Sequence, residues 1–307
     1  MSTDARGRPI DVQGRLSPDE FYARYVGREP VVMRGAVAGL RAVSRWSIGY
    51  FGDIAPDAVV RLKTGNVDAG KTTTMRMADY ARAVADWEKR AADVDGAPAD
   101  AAREIGERPP YLHDVPLLSI IPKLREDMAG FQANLLPPFF RDRWWDFTQF
   151  FVGPTGSQTP LHFDTLLTHN LFLQISGRKR FVMVGNRDRN LCYVRDWRWS
   201  PVDPENPDLD RYPLFATAEV RTAVLEAGDL LYMPPGTLHK VVAETPSMSF
   251  NIDWHDWRSA LNGVAAAREG MPATNLRYNL LFALGVVGRL PAGVVLPALK
   301  SYYSYIS

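Results

Sequence analysis

From Phe147 onward this chain of 307 residues is a succession of short apolar, β-branched and aromatic runs divided by turn residues, and that spacing constrains the fold more than any other feature. Phe147 to Val152 stops at Gly153-Pro154-Thr155-Gly156; Thr159 to Asp164 follows, then Leu171 to Ile175, a Ser176-Gly177 turn, and Lys179 to Val184. Beyond a Pro/Asp/Asn-rich loop from Ser200 to Pro213 come Val220 to Leu225, a Gly228-Asp229 turn, Leu230 to Met233, His239 to Ala243, and Met248 to Asp253. Strands this short and this closely spaced, with no long helix between them, predict an antiparallel sandwich or barrel.

The flanks read differently. Ser17-Pro18-Asp19-Glu20 combines an N-cap, a proline at the first helical position and a capping-box glutamate, which predicts a helix over 17–28. Pro30 to Gly35 and Val59 to Lys63 read as strands. Residues 79–106 are polar and helical, broken at Gly96-Ala97-Pro98, and Arg90 to Glu107 predicts an exposed insertion. Helical patterning returns from Trp257. The most apolar stretch, Leu276 to Leu299, is interrupted by Arg277, Asn279, Arg289, Pro291 and Pro297, so it reads as one or two packed helices and an oligomer surface, not a membrane span. The expected organisation is residues 1–110 packing on a core over 111–256, with a helical region over 257–307 that mediates a homodimer.

Charge and cysteine content narrow the partners. Thirty-six basic against 35 acidic residues leave +1, so no global field favours nucleic acid or an anionic membrane. The single cysteine, Cys192, excludes a disulfide framework and a thiolate zinc site, and reads as a small buried residue. The N-terminus lacks the apolar core of a signal peptide, which together with the cysteine usage predicts a cytoplasmic protein.

The chemistry concentrates at Thr159-Pro160-Leu161-His162-Phe163-Asp164. On a strand, alternate residues share a face, so His162 and Asp164 point together. Of the five histidines, His239 follows a turn, an apolar strand and a Pro-Gly corner that can bring it round to face His162. Two imidazoles and one carboxylate form the facial set of non-heme iron(II) oxygenases. Either element alone also fits ordinary half-buried residues. In Arg178-Lys179-Arg180-Phe181-Val182-Met183, alternation puts Lys179 on the face of Phe181 and Met183. A lysine turned to an apolar interior calls for an anion, such as a bound dicarboxylate, while three basic residues coating a solvent face would read the same way.

Taken together, Thr159-Pro160-x-His162-x-Asp164, Asn170, Gly177-x-Lys179, Gly228 to Pro234, His239 and Asn251 resemble the JmjC and cupin-like 2-oxoglutarate oxygenases, specifically the branch of the hypoxia-inducible-factor asparaginyl hydroxylase. Pro110-Tyr111-Leu112, Pro30 to Gly35 and the loop from Ser200 to Pro213 are similar too, so the resemblance covers roughly residues 17–256. It implies a mainly β fold, a double-stranded β-helix or jelly roll, with helical N- and C-terminal additions. It further implies iron(II) on His162, Asp164 and His239, with 2-oxoglutarate and O2 as cosubstrates. Lys179 and the Thr159 hydroxyl would bind the distal carboxylate, with Asn170, Asn251 and Tyr111 nearby. The expected reaction is hydroxylation of a protein or peptide side chain or a small amino-acid-like or natural-product substrate, releasing succinate and CO2; N-demethylation uses the same chemistry. The alternative is a metal-binding cupin-like protein without 2-oxoglutarate turnover.

The chain departs from the family pattern in three places. It carries two more residues between Asp164 and Asn170, and Thr237-Leu238 where paired tryptophans are common. It also has Asp253-Trp254-His255 after the last core strand, which makes Asp253, Trp254 and His255 candidates for substrate contact. Trp144, Trp145, Trp197 and Trp199 fit core packing better than a substrate pocket, and Arg195, Arg198 and Arg211 fit a solvated loop.

Overall fold

The computed structural model describes residues 7–94 and 106–306. Two sheets face each other. One runs in the order β1 (Arg8–Pro9), β11 (Val220–Leu225), β10 (Lys179–Val184), β13 (Leu238–Ala243) and β8 (Gln158–His162). The other runs β2 (Asp11–Gln13), β3 (Val31–Met33), β12 (Leu230–Met233), β9 (His169–Ser176), β14 (Ser247–Trp254), β7 (Thr148–Gly153) and β6 (Leu112–Val115). Among β6 to β14 every pairing is antiparallel, and from β7 on successive strands alternate between the sheets except at the β10–β11 hairpin, which is the jelly roll expected. A two-stranded hairpin of β4 (Val59–Lys63) and β5 (Thr72–Arg76) packs on the core through Val60 and Leu62 and is bridged to it between Lys63 and Tyr111.

The turn residues have specific work. Gly177 joins β9 to β10 at φ +71°, where a Cβ would sit 2.1 Å from the Pro246 carbonyl. At the next corner Gly228 has φ +95° and would meet Ala38, while the buried Asp229 carboxylate accepts from the Gly35 and Glu226 amides at 2.9 and 2.8 Å and pairs with Arg34. The Gly-Asp pair therefore ties the corner to the N-terminal segment.

Apolar side chains fill three places. Inside the barrel Ile10, Val32, Phe172, Phe181, Met183, Leu231 and Val241 pack between the sheets. The outer face of the larger sheet is covered by helices α1 (Pro18–Arg24), α2 (Arg41–Arg45), α3 (Ile48–Ile54) and α4 (Met77–Ala91) and by the C-terminal helices, with Phe150 and Phe250 stacked 4.8 Å apart beneath Trp46 and Trp144. Leu161, Phe163, Leu238, Cys192 and Val202 pack the outer face of the smaller sheet against the long loop after β10.

Several sequence expectations change in detail. The first helix carries the expected capping box but ends at Arg24, because Gly27 turns the chain with φ +70°. The strand carrying the metal-ligand candidates ends at His162, so Asp164 lies beyond it; Phe163 N instead donates to Arg198 O, at 3.2 Å. The polar helix is Met77–Ala91, and most of the expected insertion lies outside the described residues. Residues before 110 supply β1 to β3, which extend both sheets. Leu276 to Leu299 falls on the helices Ala273–Val286 and Ala292–Ile306, and no helix among the described residues is long and apolar enough to cross a membrane.

Candidate metal centre

His162 and His239 are register partners on the antiparallel pair β8 and β13, which sets their rings 4.4 Å apart. Asp164 reaches the same point from the turn after β8, with Oδ1 3.9 Å from His239 Nε2. One ligand atom from each of His162, Asp164 and His239 lies within 4.8 Å of the others.

The hydrogen bonds around this set leave the right lone pairs free. His162 Nδ1 faces the Pro160 carbonyl at 2.8 Å and His239 Nδ1 faces the Thr237 carbonyl at 3.1 Å. A carbonyl only accepts, so each Nδ1 carries the hydrogen and each Nε2 presents its lone pair inward. Burial, then the neighbouring His239 and Arg198, hold the His162 imidazole well below its usual range, so the ring is neutral. Asp164 Oδ2 accepts from Asn170 Nδ2 at 3.0 Å, which orients the carboxylate. Two imidazoles with Nε2 turned inward and an oriented carboxylate fit a divalent metal ion.

The three ligands open onto a cavity of about 30 Å³ between the sheets, whose lining includes Tyr111, Thr159, Asn170, Lys179, Asn251 and Asp253. Strand alternation puts Lys179 inside with Phe181 and Met183, as one of the two sequence readings had it, and only 1 % of the residue is exposed. Its ammonium donates to Ser249 Oγ at 2.6 Å, to Tyr111 Oη at 3.2 Å and to the Phe151 carbonyl at 3.4 Å. Among the described residues no acidic group pairs with it, and burial pulls its pKa down to about 7. Burial likewise pushes the Tyr111 phenol up, so it stays a neutral donor.

Asn170 and Asn251 both donate to Asp253 Oδ1, at 3.3 and 3.2 Å. The extra residues before Asn170 are taken up by a turn in which Leu167 has φ +57°, so Asn170 still meets Asp164. Burial, then the adjacent Asp164, raises Asp253 well above the carboxylate range. Trp254 points the other way, stacked 4.0 Å from His169 beneath the helices. His255 is fully buried against Ser259 and Phe282, with its pKa pushed down to about 3 by burial, and neither Trp254 nor His255 lines the cavity. His169 is likewise engaged outside, its Nδ1 2.7 Å from Tyr232 Oη.

Other lining residues are absent from the sequence reading or weighed differently there. His113 and Asp114 enter from β6, Gln149 and Phe151 from β7, and Arg198 from the loop after β10. Arg198 sits on a tight turn whose Asp196 and Trp197 both have positive φ, and its neighbour Trp199 bridges to His162 with rings 5.0 Å apart. The only sequence signal for His113 was its place one residue after the Pro110-Tyr111-Leu112 motif.

A family model described as cupin-like domain matches residues 18–259. The tRNA wybutosine-synthesizing protein 5 of Homo sapiens is 27 % identical over 259 residues, covering 80 % of this chain and 78 % of that protein. Jumonji C domain-containing protein 5 of Drosophila melanogaster is 25 % identical over 249 residues, 78 % of this chain and 58 % of that protein. Lysine-specific demethylase 8 of Xenopus tropicalis is 27 % identical over 247 residues, 78 % of this chain and 51 % of that protein. The chain therefore belongs to the JmjC and cupin-like family, with the iron-binding His-Asp-His set of an oxygenase-type enzyme.

Proposed function

We propose that the chain is an iron(II)- and 2-oxoglutarate-dependent oxygenase that hydroxylates a protein or peptide side chain, or a small amino-acid-like or natural-product substrate. Lys179 carries this reading. A buried ammonium without a carboxylate partner costs stability unless a ligand supplies one, and it lines the cavity onto which the metal ligands open. When bound, iron(II) with 2-oxoglutarate supplies the oxidising chemistry that turns dioxygen and the cosubstrate into succinate, CO2 and a hydroxyl on the substrate.

The protein's own residues divide the remaining tasks. His162, Asp164 and His239 hold the metal, and Asn170 keeps Asp164 oriented. Lys179, Tyr111 and Thr159 take the distal carboxylate, with Ser249 holding the ammonium in place. Phe172 and Val241 line the cavity and keep water from the cosubstrate. Asp253 and Arg198 face the space left for substrate. The balanced charge favours a side chain or small molecule over nucleic acid. On an N-methyl group the same oxidation would give demethylation. We also propose a homodimer through the C-terminal helices, where Leu280, Leu284, Val287 and Val294 are exposed.

Succinate release from 2-oxoglutarate by the iron-loaded protein, wild type against Asp164→Ala, tests the reaction. Succinate from wild type and none from the variant supports it. Metal bound by wild type with no succinate under any substrate mixture would instead favour a metal-binding protein without 2-oxoglutarate turnover.

A further inference from the structure

In a regular strand, neighbouring residues point to opposite faces, yet His113 and Asp114 both line the cavity. A bulge in the pairing of β6 with β7 falls between His113 and Val115, and Asp114 adopts φ +63° within it. Bulges re-aim side chains next to functional sites, and a left-handed aspartate persists where its surroundings hold it. Here the result is a chain of three groups. His113 Nδ1 lies 2.9 Å from Asp114 Oδ2, a close ion-pair contact too bent for a linear hydrogen bond, and His113 Nε2 lies 3.0 Å from Thr159 Oγ1.

These contacts decide which way the Thr159 hydroxyl can point. A lone pair on Nδ1 facing the Asp114 carboxylate would be repelled, so Nδ1 carries the hydrogen in the neutral ring. Nε2 is then an acceptor, and Thr159 must donate to it. In that state Thr159 offers an incoming carboxylate only lone pairs. Once Nε2 is protonated it donates to Thr159 Oγ1, and the Thr159 hydrogen is free to turn into the cavity.

We propose that the His113–Asp114 pair is a positioning device that makes Thr159 a donor to the cosubstrate carboxylate only when His113 takes up a proton. This deepens the proposed function and rests on it. The balance is simple: one proton from solvent adds to Nε2, no other bond changes, and the Thr159 hydroxyl rotates from His113 to the carboxylate. Bringing the dianion into the cavity favours that proton, as it favours the charge on Lys179. The groups facing His113 are Asp114, Thr159 and the rings of Tyr111 and Phe151, at 5.1 and 4.9 Å. Of the other charged or titratable groups, Lys179, Arg198, Asp164, Asp253, His162 and His239 line the same cavity, Lys63 and Arg198 act on Asp114, Asp114 acts on Asp253, and His162 senses His113 electrostatically.

Anaerobic calorimetry of 2-oxoglutarate binding to the Mn(II)-loaded protein, in two buffers of different ionisation enthalpy at about pH 8, counts the protons. Wild type should take up close to one proton more than His113→Gln, whose amide donates to Thr159 without titrating. His113→Gln should keep affinity within about threefold, while His113→Phe, which leaves Thr159 without its partner, should lose about tenfold or more. The isosteric Asp114→Asn removes the anion that favours the imidazolium and should lower both proton count and affinity. Equal proton counts in wild type and His113→Gln would overturn the inference alone. A wild type that takes Mn(II) but binds no 2-oxoglutarate would overturn the oxygenase reading and the inference with it.

Discussion

Lys179 Nζ donates to Ser249 Oγ at 2.6 Å, and this one bond ties β10 of the smaller sheet to β14 of the larger through the middle of the barrel. Neither residue has solvent to fall back on, since 1 % of Lys179 and none of Ser249 is exposed. The contact aims a cation into the cavity while leaving its charge uncompensated, which is the arrangement of a site waiting for an anion.

The Lys179 pKa of about 7 sets a pH dependence. A bound carboxylate needs the charged form, so above that pH each binding event must first restore a proton. The affinity for 2-oxoglutarate should therefore fall by at least about tenfold per pH unit above about 7. Lys179→Met should weaken binding about 10- to 100-fold. Calorimetry between about pH 6 and about pH 9 checks both, and a flat profile would contradict the assignment.

Asn170 acts on the metal through Asp164. Removing its 3.0 Å hydrogen bond in Asn170→Ala frees the carboxylate to rotate. Losses of this kind cost about 10- to 100-fold in metal affinity. Competition against a chromophoric chelator measures it, and unchanged affinity would remove Asn170 from the metal's support.

Much of this was legible in the sequence, for definite reasons. The runs at Lys179–Val184, Val220–Leu225 and Leu230–Met233 start and stop at strong turn residues, so their ends agree with the strands found. His162 and Asp164 two residues apart gave two ligands without any fold. Other features depend on geometry that no spacing encodes. The strand Ser247–Trp254 is buried along its whole length, so hydropathy could not tell that Asp253 faces the cavity and Trp254 the helices. His113 and Asp114 share a face only because of a bulge, and Arg198 reaches the cavity from a turn with two residues at positive φ.

Trp254 is a packing residue, with its ring against His169 and Tyr232. Trp254→Ala should cost about 3–5 kcal/mol of stability through the cavity it leaves. Denaturant unfolding reads that loss. Variant protein that stays folded should still bind iron; a variant as stable as wild type but unable to act on substrate would return Trp254 to the substrate site.

Leu284 and Val294 are 50 % and 65 % exposed on adjacent C-terminal helices. Charging an apolar contact that a second copy covers costs more than the contact contributes. The double variant Leu284→Glu, Val294→Glu should run as a monomer in light scattering where wild type runs as a dimer. Equal masses for the two proteins would contradict that interface.

The most direct test of the metal and cosubstrate site is an anaerobic titration of iron(II) and 2-oxoglutarate into the apo-protein, following the visible metal-to-ligand charge-transfer band. Wild type should develop the band, His162→Ala should lack it, and Lys179→Met should need about 10- to 100-fold more 2-oxoglutarate to reach it. Iron bound by wild type with no band at saturating 2-oxoglutarate would contradict the account.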